Sequence, residues 1–395
     1  MFLVALLQSY TISVQFGLFK TKALTFYYIC GHIFYRMPYL INKARRIEFK
    51  DIDLSALNSY PNEFQPAAAL ISQWKSGQNV FELQTSGSTG VPKTIQLQRD
   101  KIIFSAKQTR QAFGLQPGDT LFCCLGLHYI AGFMMVMRAL VLDCNLVVEE
   151  PVSNPLSGLN EDIKIDFASF IPLQMEAMLS DLKALKIMNG MKAILLGGGP
   201  VSANLEEKLQ ALKVPVYHTY SMTETYTHVA IKLINTPNKS QTFKPLPGVK
   251  LSIDTRGCLV INSYLTDNED LVTNDLVYIH ENGSFTWLGR NDNVIISGGI
   301  KIQLEKIENA CAQVFMDLKL NRAFFAAGIP DEKLGQKLVL VVEGEGLSEE
   351  MINAINDQLS RALGKYELPK EVLFIKKFVL TRTGKLDRRG TQLMI

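Results

Sequence analysis

The sequence predicts an α/β protein in which a large domain closes with a β-rich module and a small α+β domain follows. Three observations carry this. From about Ile47, apolar runs alternate with helix-like segments. After Lys250 the texture changes to short strand-like runs joined by Gly, Asn and Asp turns. From Leu304 onward two helical and three strand patterns fit into about 100 residues, the size of a small domain.

Taken in order, FIPLQMEAMLSDLKALK (170–186) spaces apolar residues three and four apart and predicts a helix. MKAILLGGG (191–199) is a short buried strand that ends in glycines. SANLEEKLQALK (202–213) is amphipathic, with Ser202 or Asn204 as its capping residue. VPVYHTYS (214–221) is a strand running into a polar turn. Strands alternating with helices place ligands at the carboxyl ends of the strands. In the β-rich part, KLSIDTRGCLVINS, DLVYIHENGSFTWLG and NVIISGGIKI read as strands with tight turns. LEKIENACAQVF is then a helix, RAFFAAGIP and KLVLVVEG strands, SEEMINAINDQLSRAL a helix and EVLFIKKFVL the last strand. The polar stretch Arg290–Asn293 marks the boundary, giving domains at 47–291 and 292–395 behind an extension of 1–46.

Bulk properties exclude several classes. The 395 residues can build more than one core. A net charge of +3, with no basic block interleaved with aromatics, gives no case for nucleic acid. Six cysteines, at 30, 123, 124, 144, 258 and 311, form no CxxC pair, and the histidines do not complete a zinc set. They read as reduced, mostly buried thiols in a cytoplasmic protein. The stretch MFLVALLQSYTISVQFGLF lacks a basic n-region and carries several polar residues, so it is neither a signal peptide nor a good spanning helix. ALTFYYICGHIFYRMPYLINKARR mixes aromatics with basic residues and could lie on a membrane surface. The simpler reading, preferred here, is an over-extended start with Met37 as the first residue.

LQTSGSTGVPKTIQLQ (83–98) sets glycines, hydroxyl residues and a lysine between strand-like runs. It is not GxxxxGK[ST], because the glycine spacing differs and Pro92 directly precedes Lys93. Hydroxyls at Thr85, Ser86, Ser88 and Thr89 can still donate to phosphate oxygens. Gly87 and Gly90 admit close backbone approach, and Lys93 brings positive charge. A polar hairpin loop without a ligand accounts for the composition equally well.

TSGSTGVPK resembles the phosphate loop of the adenylate-forming superfamily, and further matches follow in order up to residue 389. The resemblance implies a shortened adenylate-forming large domain and a small mobile C-terminal domain. LLGGGP resembles the turn laid against adenine, with Gly198, Gly199 and Pro200. YSMTET (Tyr220, Ser221, Met222, Thr223, Glu224, Thr225) resembles YGxTE. The resemblance implies that Tyr220 stacks on adenine, Thr223 binds the α-phosphate and Glu224 holds Mg²⁺. A carboxylate facing a triphosphate requires such a cation between them. Asp275 and Arg290 match the ribose-gripping aspartate and GRxD arginine, and Asp292 matches the interdomain hinge. SGGIKIQLEKIE, with Ser297, Gly298 and Gly299, resembles the coenzyme A channel. TRTGKLDRR resembles the C-terminal motif whose lysine, here Lys385, reaches the carboxylate and α-phosphate. Ser221 and Asn274 replace family glycines, and Thr381 stands where proline is frequent.

Only 84 residues precede Thr85, a shortened layout that resembles the o-succinylbenzoate–CoA ligases of menaquinone synthesis. GLHYIAGFMMVMRAL (126–140) resembles their HxxGxxxxxR stretch, and YSMTETYTHVA their YGMTETxSHIA. The resemblance implies an acid pocket with His128, Arg138, Thr227 and His228. A dicarboxylate needs a cationic or hydrogen-bonding partner for the carboxylate that is not activated. His128 as a supporting residue and Arg138 as a side chain reaching solvent are the plainer readings, and the Met134–Met137 cluster reads as core.

The expected enzyme is an AMP-forming acid–thiol ligase. A carboxylic acid and ATP would give acyl-adenylate and pyrophosphate, and coenzyme A would then take the acyl group. Other acyl- or aryl-CoA ligases and a carrier-loading adenylation enzyme are the alternatives. A non-catalytic nucleotide-binding relative is disfavoured, because Thr223, Glu224, Asp275, Arg290 and Lys385 all remain.

Overall fold

A mostly parallel sheet forms the centre of the large domain in the computed structural model, which describes residues 38–42, 45–84, 94–160, 162–235, 237–380 and 386–395. The chain opens with β1 (Tyr39–Asn42), β2 (Arg45–Glu48) and helix α1 (Gln65–Lys75). The hairpin β3 (Val80–Gln84) and β4 (Thr94–Gln98) leads into α2 (Arg99–Phe113), β5 (Thr120–Cys123), α3 (Ile130–Val141) and β6 (Asn145–Val148). Next come β7 (Phe167–Phe170), α4 (Pro172–Met178), α5 (Leu182–Asn189), β8 (Ala193–Leu196) and α6 (Ala203–Leu209). Strands β9 (Val216–Ser221), β10 (His228–Leu233) and β11 (Lys244–Pro245) complete this part.

The sheet order is β11-β10-β9-β8-β7-β5-β6-β1-β2. The run from β9 to β1 is parallel, and the antiparallel strands lie toward the two edges. Alternate side chains explain why these strands are apolar throughout. Leu121 and Cys123 face a core with α1, α2 and α3, whereas Phe122 and Cys124 face one with α4, α5 and α6. The order reverses around β5, which lies between β6 and β7, so a crevice opens at the carboxyl ends of β5, β7, β8 and β9.

Strands β12 (Lys250–Ile253), β13 (Cys258–Asn262), β14 (Asp270–Ile279) and β15 (Phe285–Arg290) form an antiparallel sheet. A bridge and a ring stack between Phe243 and Phe285, centroids 5.3 Å apart, tie it to the large domain. The turn Asn291–Asn293 leads into β16 (Val294–Ser297), β17 (Ile300–Gln303), α7 (Leu304–Asp317), β18 (Phe324–Asp331) and β19 (Gly335–Glu343). Helix α8 (Glu349–Ala362), β20 (Glu371–Ile375) and α9 (Arg388–Gln392) end the chain. The sheet of this last part runs β17-β16-β19-β18, and β20 joins β19 in parallel.

Several expectations change. The single helix over 170–186 is a strand end followed by two helices. Asp181 accepts from the Lys183 and Ala184 amides and starts α5 afresh. Ser202, not Asn204, caps α6 by accepting from Leu205 N–H. The hairpin 294–303 belongs to the small sheet and not to the β-rich module, since β16 pairs with β19. The last strand stops at Ile375, before exposed Lys376 and Lys377. Tyr39–Glu48, expected partly in an extension of 1–46, adds two strands to the large sheet. The pattern was illegible because each strand has only four residues and RRIE is a charged edge. Residues 1–37, Met37 included, lie outside the described residues. Among the described residues no helix is long and apolar enough to cross a membrane. Five cysteines are buried and free, as expected.

Candidate active site

The carboxyl end of β9 gathers most of the residues the sequence singles out. Tyr220, near the end of that strand, donates from its hydroxyl to Asp275 Oδ2 at 2.5 Å. Its ring meets Phe285 edge-on, with centroids 5.3 Å apart. Burial, with the Asp275 charge beside it, pushes the Tyr220 phenol well above its ordinary value. A hydrogen bond to a charged acceptor of this kind contributes about 1.5–3 kcal/mol. Asp275 Oδ1 also accepts from Trp287 Nε1 at 3.2 Å, and Arg290 Nη1 lies 3.9 Å away. Trp287 was absent from the sequence-derived candidates. Its place three residues before Arg290 in the same strand-like run was the available signal.

Gly198 and Gly199 form the turn after β8, and Pro200 is exposed beside them. Gly198 has φ +80, the left-handed region open to glycine. Ser221 and Asn274, which replace family glycines, do not have positive φ and incur no such strain. Strain sits instead at Tyr226, with φ +63 and ψ −31 directly after the turn Thr223–Thr225. That backbone costs on the order of 1–3 kcal/mol and is held by its surroundings. Thr223, exposed Glu224 and Tyr226 line a cleft of about 290 Å³ with Ile95, Gln96 and Gln98 of β4 and the segment Leu265–Leu271.

Among the described residues no cation pairs with the Glu224 carboxylate, and no group of three or more His, Cys, Asp or Glu side chains could hold a metal. Glu224 shares the cleft with Asp267, Glu269, Asp270 and Lys101, and Lys101 pairs with Asp267 at 2.6 Å. Glu224, exposed and without such a pair, fits an Mg²⁺ whose other ligands are phosphate oxygens and water. Thr85, Ser86, Gly87, Ser88, Thr89, Gly90 and Lys93 lie outside the described residues, as do Thr381 and Lys385. Their flanks are described. β3 and β4 pair from Val80↔Gln98 to Gln84↔Thr94, so loop 85–93 springs from a regular hairpin.

A second group lies under the sheet. Arg138, on α3, is 1 % exposed and donates from Nε to Thr109 Oγ1 at 3.1 Å and from Nη2 to Thr227 Oγ1 at 2.8 Å. Burial lowers its guanidinium to about 10. Thr227 Oγ1 is also 3.3 Å from Nδ1 of buried His228. Burial and the Arg138 charge hold His228 neutral, well below its ordinary value. Among the described residues, no carboxylate neutralises Arg138 and no partner reaches His228 Nε2. His128 is not brought into this group. It is exposed on the loop after β5, its ring centroid 4.1 Å from that of Tyr129. Met134, Met135 and Met137 are core.

At the boundary, Asp292 accepts from Arg290 Nε and Nη2 at 2.8 and 2.7 Å, and this pairing lowers its carboxyl. Behind it, buried Glu305 accepts from Asn293 Nδ2 at 2.7 Å and from the Arg290 amide at 3.3 Å. Gln303 donates to the Arg290 carbonyl. Gly289, at φ +138, admits this cluster, since a Cβ there would lie 2.7 Å from Glu305 Oε2. Ser297 is buried, while Gly298 and Gly299 turn the β16–β17 hairpin at the surface.

The AMP-binding enzyme model matches residues 46–261, and the AMP-binding enzyme C-terminal domain model matches residues 322–385. The chain is 39 % identical to an acyl-CoA synthetase (AMP-forming)/AMP-acid ligase II-like protein from Dyadobacter fermentans. That match covers 86 % of this chain and 97 % of the other, with TM-score 0.57. A 2-succinylbenzoate–CoA ligase of Lactococcus lactis is 27 % identical over 324 residues, 78 % of this chain and 69 % of its own length. The o-succinylbenzoate CoA synthetase of Bacillus subtilis, solved with its acyl-adenylate intermediate, shares the fold at TM-score 0.65 and 21 % identity. It covers 78 % of this chain and 68 % of its own.

Proposed function

The chain belongs to the AMP-binding enzyme family, among the AMP-forming acid–CoA ligases, and from that premise we propose that its acid is an aromatic dicarboxylate of the o-succinylbenzoate type. The observation that carries the substrate class is Arg138, a buried guanidinium with no carboxylate partner among the described residues. An uncompensated buried cation is costly unless an anion is drawn to it. Thr227, held by Arg138 and only partly buried, carries that influence from the core toward the acid. Arg138 therefore acts from behind Thr227, orienting the pocket wall and supplying positive potential. The several 2-succinylbenzoate–CoA ligases among the relatives support this substrate class.

In the proposed reaction the substrate carboxylate, already ionised, attacks the α-phosphorus of ATP, and pyrophosphate leaves. No general base is required, so the protein's task is to align two anions and offset their charge. Thr223 faces the α-phosphate and Glu224 would hold Mg²⁺, which offsets phosphate charge when bound. Tyr220 and the Gly198–Pro200 turn face adenine, and Asp275 with Arg290 the ribose. Lys385 and loop 85–93 are assigned by motif alone, to the α-phosphate and to the β- and γ-phosphates. In the second half the coenzyme A thiol attacks the acyl-adenylate carbonyl and AMP leaves. Rotation of the small domain about Asp292 would exchange Lys385 for the segment Ser297–Gly299.

The test is pyrophosphate exchange followed by thioester formation with a panel of acids. Exchange with o-succinylbenzoate and not with benzoate or fatty acids is expected. Preference for a monocarboxylate would reject the substrate class, and transfer to a carrier protein but not to coenzyme A would reject the ligase reading.

A further inference from the structure

Tyr226 occupies a backbone conformation that side chains avoid, one residue beyond the Thr223–Thr225 turn. Its surroundings hold it there from three sides. The Tyr226 amide donates to the Thr223 carbonyl at 3.0 Å, closing the turn. Thr225 Oγ1 lies 3.2 Å from the Met222 carbonyl and 2.8 Å from the Thr227 carbonyl, bracing the same turn. The ring is 5 % exposed and packs in the large core. Its hydroxyl accepts the Gln98 backbone N–H at 3.0 Å. Gln98 ends β4, and that N–H belongs to the edge of a two-stranded sheet. An edge amide otherwise left to solvent is thus used as an anchor.

We propose that Tyr226 is a positioning residue that fixes the Thr223–Glu224 turn against β4, and so sets where the Glu224 carboxylate meets Mg²⁺–ATP. The inference rests on the reading of Thr223 and Glu224 given above. The turn and β4 are far apart in sequence, and a metal-holding carboxylate on an exposed turn needs its position held. The cleft between them is lined by Gln96 and Gln98 on one side and by Thr223, Glu224 and Tyr226 on the other. The strained backbone turns the tyrosine toward β4 while Glu224 stays exposed at the cleft.

Calorimetric titration of the full chain with ATP, with and without Mg²⁺, tests this independently of turnover. Tyr226→Phe removes one oxygen and keeps the ring, so it should bind Mg²⁺–ATP about tenfold more weakly and raise the Mg²⁺ midpoint. Its affinity for ATP without Mg²⁺ should change less. Gln98→Pro removes the matching N–H at an exposed residue whose φ of −83° suits proline, and sets its ring Cδ against the Tyr226 oxygen. It should show at least the same loss, and the double variant, with both the oxygen and the N–H gone, should be no weaker than Gln98→Pro. Should Tyr226→Phe not fold, Gln98→Pro alone makes the measurement. Mg²⁺–ATP affinity within twofold of wild type, or losses that add in the double variant, would overturn the proposal. If wild type exchanges pyrophosphate with no acid, the proposed acid activation fails, and the titration alone decides for or against the tyrosine.

Discussion

Arg138 shows what a residue identity can and cannot disclose. Its place in GLHYIAGFMMVMRAL marks a cation within an apolar helix, but only the packing reveals that it ends on two threonines rather than on solvent. Lysine cannot reproduce that fork, so Arg138→Lys should raise KM for the dicarboxylate roughly ten- to a hundredfold, the worth of one charged hydrogen bond, with a smaller change in kcat. Steady-state kinetics in the acid check this. Histidines set a pH dependence. Burial, reinforced by the Lys232 charge, holds His218 at about 4, below its ordinary 6.5, and His228 is also lowered. The unfolded chain therefore binds more protons than the folded one below pH 6.5, and stability falls as pH drops from 6.5 toward 4. For His218 the loss totals about 3 kcal/mol. Urea denaturation at stepped pH should show the decline, and His218→Asn should flatten part of it.

Elements were legible where the pattern was long and undisturbed. α7 and α8 match their predicted spans closely, with Ser348 capping α8 by accepting from Met351 N–H. Strands β9, β13 and β15 were read from alternation and turn residues. The segment 170–186 misled because its apolar spacing continues through a break, and the restart depends on the single cap at Asp181. At the interdomain turn, Gly289 gives a local test. Alanine there would strain a backbone at φ +138 and push against Glu305 and Gln303. It should cost about 1–3 kcal/mol of stability by urea denaturation. Thioester formation from supplied acyl-adenylate should slow with it, because the displaced cluster holds the Arg290 backbone and the Asn293 side chain.

At the scale of the molecule, the sequence motifs were enough to foresee an α/β large domain followed by an α+β unit, since the motifs at Gly198, Tyr220, Arg290 and Ser297 sit at strand ends or turns. Three things were hidden. The contact of Tyr220 with Asp275 depends on how the four-stranded sheet docks on the large one, a long-range arrangement. The separation of His128 from Arg138 depends on burial, which spacing alone does not reveal. The strain at Tyr226 depends on the anchor at Gln98. Asp292→Pro should lock one domain orientation and leave at most one half-reaction intact, as rapid-quench measurement of each half would show.

The central claim is that one chain activates an acid by adenylation and then hands it to coenzyme A, with Lys385 serving the first half alone. Single-turnover kinetics of Lys385→Ala, with ATP plus o-succinylbenzoate in one arm and supplied acyl-adenylate plus coenzyme A in the other, tests it most directly. Adenylate formation reduced at least a hundredfold, about 2.7 kcal/mol, with thioester formation within a fewfold of wild type, is the predicted result. Equal losses in both arms, or no adenylate from the wild-type protein, would contradict the account.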